Sequence, residues 1–146
     1  MSIPPRRGNA GQSGPSNKRK AALGNRGAGN PYEDDIQIQV FDYIAKCKKP
    51  GVTIWHTPNG GYRHPRAGAK FKRMGVLAGV SDIVAFRSGP NGIECFAVEI
   101  KRRGEKATVS QLQYQADLRA AGGHAVVCDL GAIAIIDLLK SRELVR

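Results

Sequence analysis

Residues 81 to 101 read SDIVAFRSGPNGIECFAVEIK. Two runs rich in β-branched and apolar residues, about 81 to 87 and 93 to 101, flank SGPNG. The Pro, Asn and Gly of that segment favour a turn, so the stretch reads as an antiparallel hairpin. An aspartate opens its first strand, and a glutamate and a lysine close its second, where sheet building alone has no use for charge. Side chains alternate along a strand, so Val98 and Ile100 face the core while Glu99 and Lys101 share the opposite face. If the loop spans 88 to 93, Arg87 faces Glu94 and Asp82 lies opposite Glu99; a turn centred on Asn91-Gly92 sets Asp82 opposite Lys101 instead. Both registers gather the three charges on one face.

Upstream, NPYEDDIQIQVFDYIAKCKK places Ile36, Val40, Tyr43, Ile44 and Cys47 at helical spacing, with Asn30 as N-cap and Pro31 in the first turn. This predicts a helix over about 31 to 48, ended by the Pro-Gly at 50 and 51. VTIWHT suits a strand. PNGGYRHPRAGAKFKRMG reads as a loop carrying Arg63, Arg66, Lys70, Lys72 and Arg73 with no acid among them. Downstream, TVSQLQYQADLRAAGG has Thr108 as N-cap and a Gly-Gly stop, the marks of a helix. HAVVCDL reads as a buried strand and GAIAIIDLLKSREL as an apolar helix. The order is α-β-β-β-α-β-α. A crossover helix between the third and fourth strands gives an α/β fold, a mixed four-stranded sheet flanked by helices.

The 146 residues allow one domain with a real core. Residues 1–30 are built mainly from Gly, Pro, Ser, Asn and Ala with six of the 23 basic residues, no acid and almost nothing large and apolar, a composition that cannot offset its ordering entropy; a disordered basic arm is expected there, and a folded domain over residues 31–146. The formal charge is +11, of which the arm leaves +5 to the folded part. Such a balance favours a polyanionic partner, nucleic acid before membrane surface. No run approaches the roughly 18 apolar residues of a membrane span, and no secretory signal opens the chain, so a soluble, cytoplasmic protein is expected. Cys47, Cys95 and Cys128 are odd in number and widely spaced, which argues for reduced core residues rather than a disulfide framework or zinc site.

Two carboxylates held side by side repel unless a cation sits between them. Mg²⁺ fits, or Mn²⁺ in its place, because it takes a few carboxylate oxygens, keeps several waters and can engage a phosphate. Lys101 would then orient the attacking water or offset charge growing on phosphorus, which makes phosphodiester hydrolysis the reaction class. The plain alternative is a salt bridge on a solvated strand face.

An aspartate before an apolar strand, a turn, then acid, one residue and lysine is similar to the PD-(D/E)XK nuclease signature, carried here by SD at 81 and 82 and EIK at 99 to 101. The longer runs HTPNGGYR, GVLAGVSDIVAF, AVEIKRRGEKATVSQ and LRAAGG resemble the VRR-NUC branch, the virus-type replication-repair nucleases, over about residues 31 to 130. The resemblance implies a restriction-endonuclease-like core and a divalent-metal-dependent endonuclease of low sequence specificity that prefers particular DNA structures. Small stand-alone members, many of them phage-encoded, are homodimers that act on branched DNA; a phage-encoded chain would work in the host cytoplasm. By motif, Asp82 and Glu99 correspond to metal ligands, with the backbone carbonyl of Ile100, and Lys101 to the catalytic lysine. Glu33, with Gln37 four residues on, matches the family's acid on the first helix, a further catalytic residue and metal ligand. Gln111 matches its active-site glutamine better than Gln113. Ser81 stands where the family usually has proline and Thr108 where serine is common, and neither change removes a group the chemistry needs.

Each added residue also has a structural reading. Glu33 with Asp34 and Asp35 suits the positive end of a helix, and Gln111, three residues after Thr108, suits a capping box. His56, Asn59 and the loop cations Arg63, Arg66, Lys70, Lys72 and Arg73, interleaved with Tyr62 and Phe71, are candidate DNA contacts, although a solvated loop would look the same. His64 and His124 have no partner spacing. Two other functions compete with a general nuclease: a Holliday-junction resolvase, with the same fold and chemistry, and a non-catalytic basic DNA-binding module. The run AIAIIDLL carries more apolar residues than one helix face needs, which adds to the expectation of a dimer.

Overall fold

The hairpin closes more tightly than SGPNG suggests. Strand β2 (Ile83–Gly89) and strand β3 (Gly92–Ile100) pair antiparallel out to Gly89 opposite Gly92, leaving Pro90 and Asn91 as the turn. Arg87 stands opposite Glu94 and Ile83 opposite Val98. The first of the two registers is therefore the real one.

The computed structural model describes residues 32–58 and 65–146, so the expected basic arm lies outside it. Around the hairpin stand α1 (Glu33–Cys47), β1 (Thr53–His56), α2 (Pro65–Arg73), α3 (Val109–Ala120), β4 (His124–Cys128) and α4 (Ala132–Ser141). The sheet runs β1-β2-β3-β4, with β1 and β3 antiparallel to β2, and β4 parallel to β3. Parallel neighbours need a crossover, and α3 supplies it. The expected mixed four-stranded sheet flanked by helices is the fold.

Alternation decides which side of the sheet meets the core. Ile83, Ala85, Phe96, Val98 and Ile100 join α1's Ile36, Val40 and Ile44 and α4's Ile135 and Leu139 in one buried cluster. The α1 residues recur every four positions, one stripe of the helix. Burying each such aliphatic side chain contributes about 1.5–3 kcal/mol. Leu144 and Val145 seal the cluster: Val145 bridges Lys48, and the Arg146 N–H donates to the Cys47 carbonyl at 2.9 Å. Among the described residues no helix is long and apolar enough to cross a membrane.

Three sequence expectations change. Pro65–Arg73 is a helix, not a loop; Pro65 at its first position was the available signal, masked by Gly68 and by the lack of an apolar stripe. Helix α1 begins at Glu33 with Tyr32 as N-cap, later than an Asn30 cap would give. The apolar excess of AIAIIDLL is mostly absorbed within the chain: Ile135 and Leu139 are buried, Ile136 and Leu138 pack against the core, and Ile133 stays 77 % exposed.

Candidate active site

Continuing the β2–β3 register by one residue brings Asp82 level with Glu99, on the sheet face that looks away from the core cluster. Three contacts fix Asp82 there. Its carboxylate Oδ2 accepts the Ile100 N–H at 2.8 Å. Its backbone carbonyl accepts the Thr57 N–H at 2.9 Å, extending the β1–β2 ladder, and lies 2.9 Å from Nδ1 of His56. Gly79 steadies the approach to the strand: its φ is +79°, and a Cβ there would fall 2.3 Å from the Ser110 carbonyl at the start of α3. Only glycine permits that contact.

Glu99 is 1 % exposed, an unusual place for a carboxylate. Its Oε1 receives the Lys101 ammonium at 3.1 Å and the side-chain amide of Gln111. Its Oε2 is buried and has no hydrogen-bond partner. Burial pushes the Glu99 carboxyl up to about 7; Asp82 adds to the rise, and Lys101 opposes it. Burial alone would lower the Lys101 pKa, but hydrogen bonds to Glu33 and Glu99 outweigh it and hold the ammonium above the usual lysine value. Lys101 therefore stays charged at neutral pH while almost wholly withdrawn from solvent.

Glu33 reaches the cluster from the first turn of α1, its Oε1 3.0 Å from the Lys101 Nζ. The neighbouring Arg102 guanidinium sits 5.0 Å over the Tyr32 ring, a cation–π contact that fastens the start of α1 to the end of β3. Gln111 does both things its position allows. Its Oε1 accepts the Thr108 N–H at 2.7 Å and its own N–H donates to the Thr108 hydroxyl, a complete capping box, while its Nε2 donates to Glu99. Gln113 turns instead to Asp117 at 2.8 Å on the exposed side of α3.

Asp82, Glu99, Lys101, Glu33 and Gln111 thus meet in one place. The expected DNA contacts are more scattered. His56 shares the alternation of Ile54, on the side of Ile83, and bears on the site only through the Asp82 carbonyl. Asn59 and Arg63 lie outside the described residues, and Arg66 belongs to α2. Lys70, Lys72 and Arg73 are exposed in the last turn of α2, where Lys70 and Arg73 border an open hollow with Ala69 and Met74.

Thr57 was not singled out from sequence. It pairs with Asp82 across the strands, and its hydroxyl is buried without a partner. Two orphaned oxygens, Thr57 Oγ1 and Glu99 Oε2, therefore flank Asp82; alternation puts Thr57 on the face of Trp55, but only the β1–β2 pairing, which the sequence does not signal, brings it beside Asp82. Buried polar atoms left unpaired cost about 1–3 kcal/mol each, a debt a cation with its waters removes. Among the described residues no three His, Cys, Asp or Glu side chains converge as an all-protein metal cage. Asp82 and Glu99 instead offer two carboxylates, which fits a small hard cation that keeps much of its water.

No family model matches the chain. No curated protein matches it. A solved structure described as a VRR_NUC domain protein is similar to it, with 30 % sequence identity and a TM-score of 0.61, over 77 % of this chain and 88 % of that one.

Proposed function

Because the chain belongs to the VRR-NUC domain family, we propose that it is a divalent-metal-dependent endonuclease that hydrolyses DNA phosphodiester bonds at the Asp82–Glu99–Lys101 cluster. The observation that carries this reading is the pairing of Glu99, buried with one oxygen unsatisfied, with the largely buried ammonium of Lys101. A structural salt bridge would gain more from both carboxylate oxygens being hydrogen-bonded.

In this reading Asp82 and Glu99 would hold Mg²⁺ or Mn²⁺, and Thr57 and the Ile100 carbonyl would be further oxygen donors. The bound ion supplies Lewis-acid polarisation of the phosphate and a more acidic water. The chain's own residues do the rest. Gln111 and Lys101 occupy Glu99 Oε1, so the carboxylate keeps one orientation and turns Oε2 to the site. Glu33 keeps Lys101 protonated and in place. The ammonium offsets the negative charge that builds on the phosphate as the water oxygen bonds to phosphorus and the bond to the leaving oxygen breaks. Fixed charge of this kind is worth about 3 kcal/mol.

Exposed cations on α2 contact phosphates, which gives affinity without sequence preference, and residues 1–30 add a salt-sensitive component. Branched DNA as the preferred substrate, a homodimeric assembly and a cytoplasmic location complete the proposal. Purified protein is expected to nick DNA with Mg²⁺ or Mn²⁺ and to stop in EDTA. Glu99→Gln and Lys101→Ala are each expected to slow cleavage by about a hundredfold or more. Cleavage at wild-type rates in both variants, unaffected by EDTA, would overturn the assignment.

A further inference from the structure

The site face of the sheet is covered unevenly. Over β3 and β4 lies α3: its buried Gln115 donates to the Val126 carbonyl at 3.1 Å, and Gln111 reaches Glu99. Tyr114, whose hydroxyl pKa is raised by burial and then by Cys95, lies near the same strand. Over β1 and β2 the same face carries two aromatic rings. Trp55 stands opposite Val84, and Phe86 stands opposite Cys95 on one side and Thr53 on the other. Counting alternate residues, Thr53, Trp55 and Thr57 on β1 and its extension share this face with Asp82, Val84 and Phe86. The two ring centroids are 5.3 Å apart at 53°, and the residues are 37 % and 38 % exposed.

Cross-strand packing explains why the rings touch each other. It does not explain why the sheet leaves two large rings exposed to solvent beside the carboxylates while Ile83, Ala85, Val98 and Ile100 on the opposite face are buried. At about 3.3 Å per residue, Trp55 stands roughly 7 Å along the sheet from the level of Asp82, and Phe86 roughly 13 Å. Those offsets suit the next bases of a strand whose phosphate lies at the carboxylates. No charged side chain occurs among Thr53, Trp55, Val84 and Phe86, so this patch suits a base rather than a phosphate.

We infer that Trp55 and Phe86 form a stacking platform for unpaired bases adjoining the scissile phosphate, so that the enzyme's substrates are DNA with a single-stranded segment at the cut. The inference rests on the nuclease reading for the position of the phosphate. A blunt duplex keeps its base faces stacked on one another and cannot offer them to the rings; a single strand, flap or opened junction can.

Trp55 is the chain's single tryptophan, so its fluorescence reports on the platform directly. The wild-type protein in EDTA, titrated with an oligothymidine single strand, is expected to show saturable quenching, and a blunt duplex of equal length little. Phe86→Ala is expected to weaken single-strand binding by about tenfold, since stacking on one ring is commonly worth that much. With Mg²⁺, Trp55→Ala should lower the preference for flapped over blunt DNA, chiefly through KM, and Trp55→Phe should restore it. Cleavage without quenching, or equal quenching by blunt duplex, overturns the platform and leaves the nuclease reading intact. Quenching without cleavage under any divalent metal supports the platform and removes the nuclease. A Trp55 signal that changes with protein concentration before DNA is added shows that a second copy covers the rings, and overturns the inference.

Discussion

Glu99 carries its proton into the neutral range because the fold buries it beside Asp82, and this has a measurable consequence in the metal-free protein. Its folded-state pKa of about 7 lies above the ordinary 4.5, so the folded state binds the proton more tightly than the unfolded chain does. The stability it contributes is full below about pH 4.5 and is lost as pH rises through about 7. The Lys101 pKa is also raised, so its contribution is lost only in the alkaline range and does not cancel this slope. Urea denaturation in EDTA is therefore expected to show the wild type losing stability between pH 5 and pH 8 on the order of 1 kcal/mol or more, with Glu99→Gln flattening the slope. Parallel slopes for the two proteins would mean that Glu99 ionises normally. That Asp82, Glu99 and Lys101 share a face was legible from strand alternation alone. Thr57 was not, because its place beside Asp82 depends on which strand pairs with β2, and nothing within HTPNGG fixes that.

Legibility at the level of elements followed the hydrophobic pattern. Helix α1, the hairpin and α4 each bury a stripe or an alternate face; α3, whose Val109 and Leu112 stay exposed, is announced by Thr108 and the Gly-Gly stop instead, and these elements and β4 are readable to within three residues of their ends. Helix α2 has no apolar stripe to bury and was read as a loop; its charges and Gly68 conceal a helical segment that only Pro65 announces. Gln111 caps α3 and serves the site at once, since an amide has an oxygen for one task and a nitrogen for the other. Sequence could not show this, because the reach from Gln111 to Glu99 depends on the crossover laying α3 over β3. Thr108→Ala removes the acceptor of the Gln111 N–H, and loss of such a cap costs about 1 kcal/mol. The same variant is expected to lose activity beyond what its stability explains, with the deficit in kcat. Thermal melting set beside single-turnover cleavage checks this, and unchanged turnover in a destabilised protein would separate the cap from the site.

At the scale of the whole molecule, the parallel β3–β4 pair follows from the helix that connects those strands as a crossover, whereas the place of β1 beside β2 does not follow from the order of elements. The oligomeric arrangement does not follow, because most of the apolar run in α4 that suggested a partner is spent inside the chain. The core is tied together through β2, β3, α1 and α4, whereas the first turn of α3 is held at its edge by the Thr108–Gln111 box. Helix ends open locally at lower free energy than a core unfolds. When that turn frays, the amide leaves Glu99 in the same event, so the enzyme should fall silent on warming while its sheet is still intact. Rapidly reversible heat inactivation, several degrees below the melting transition seen by circular dichroism, is the expected outcome. The protein would then carry its own upper temperature limit in a single glutamine.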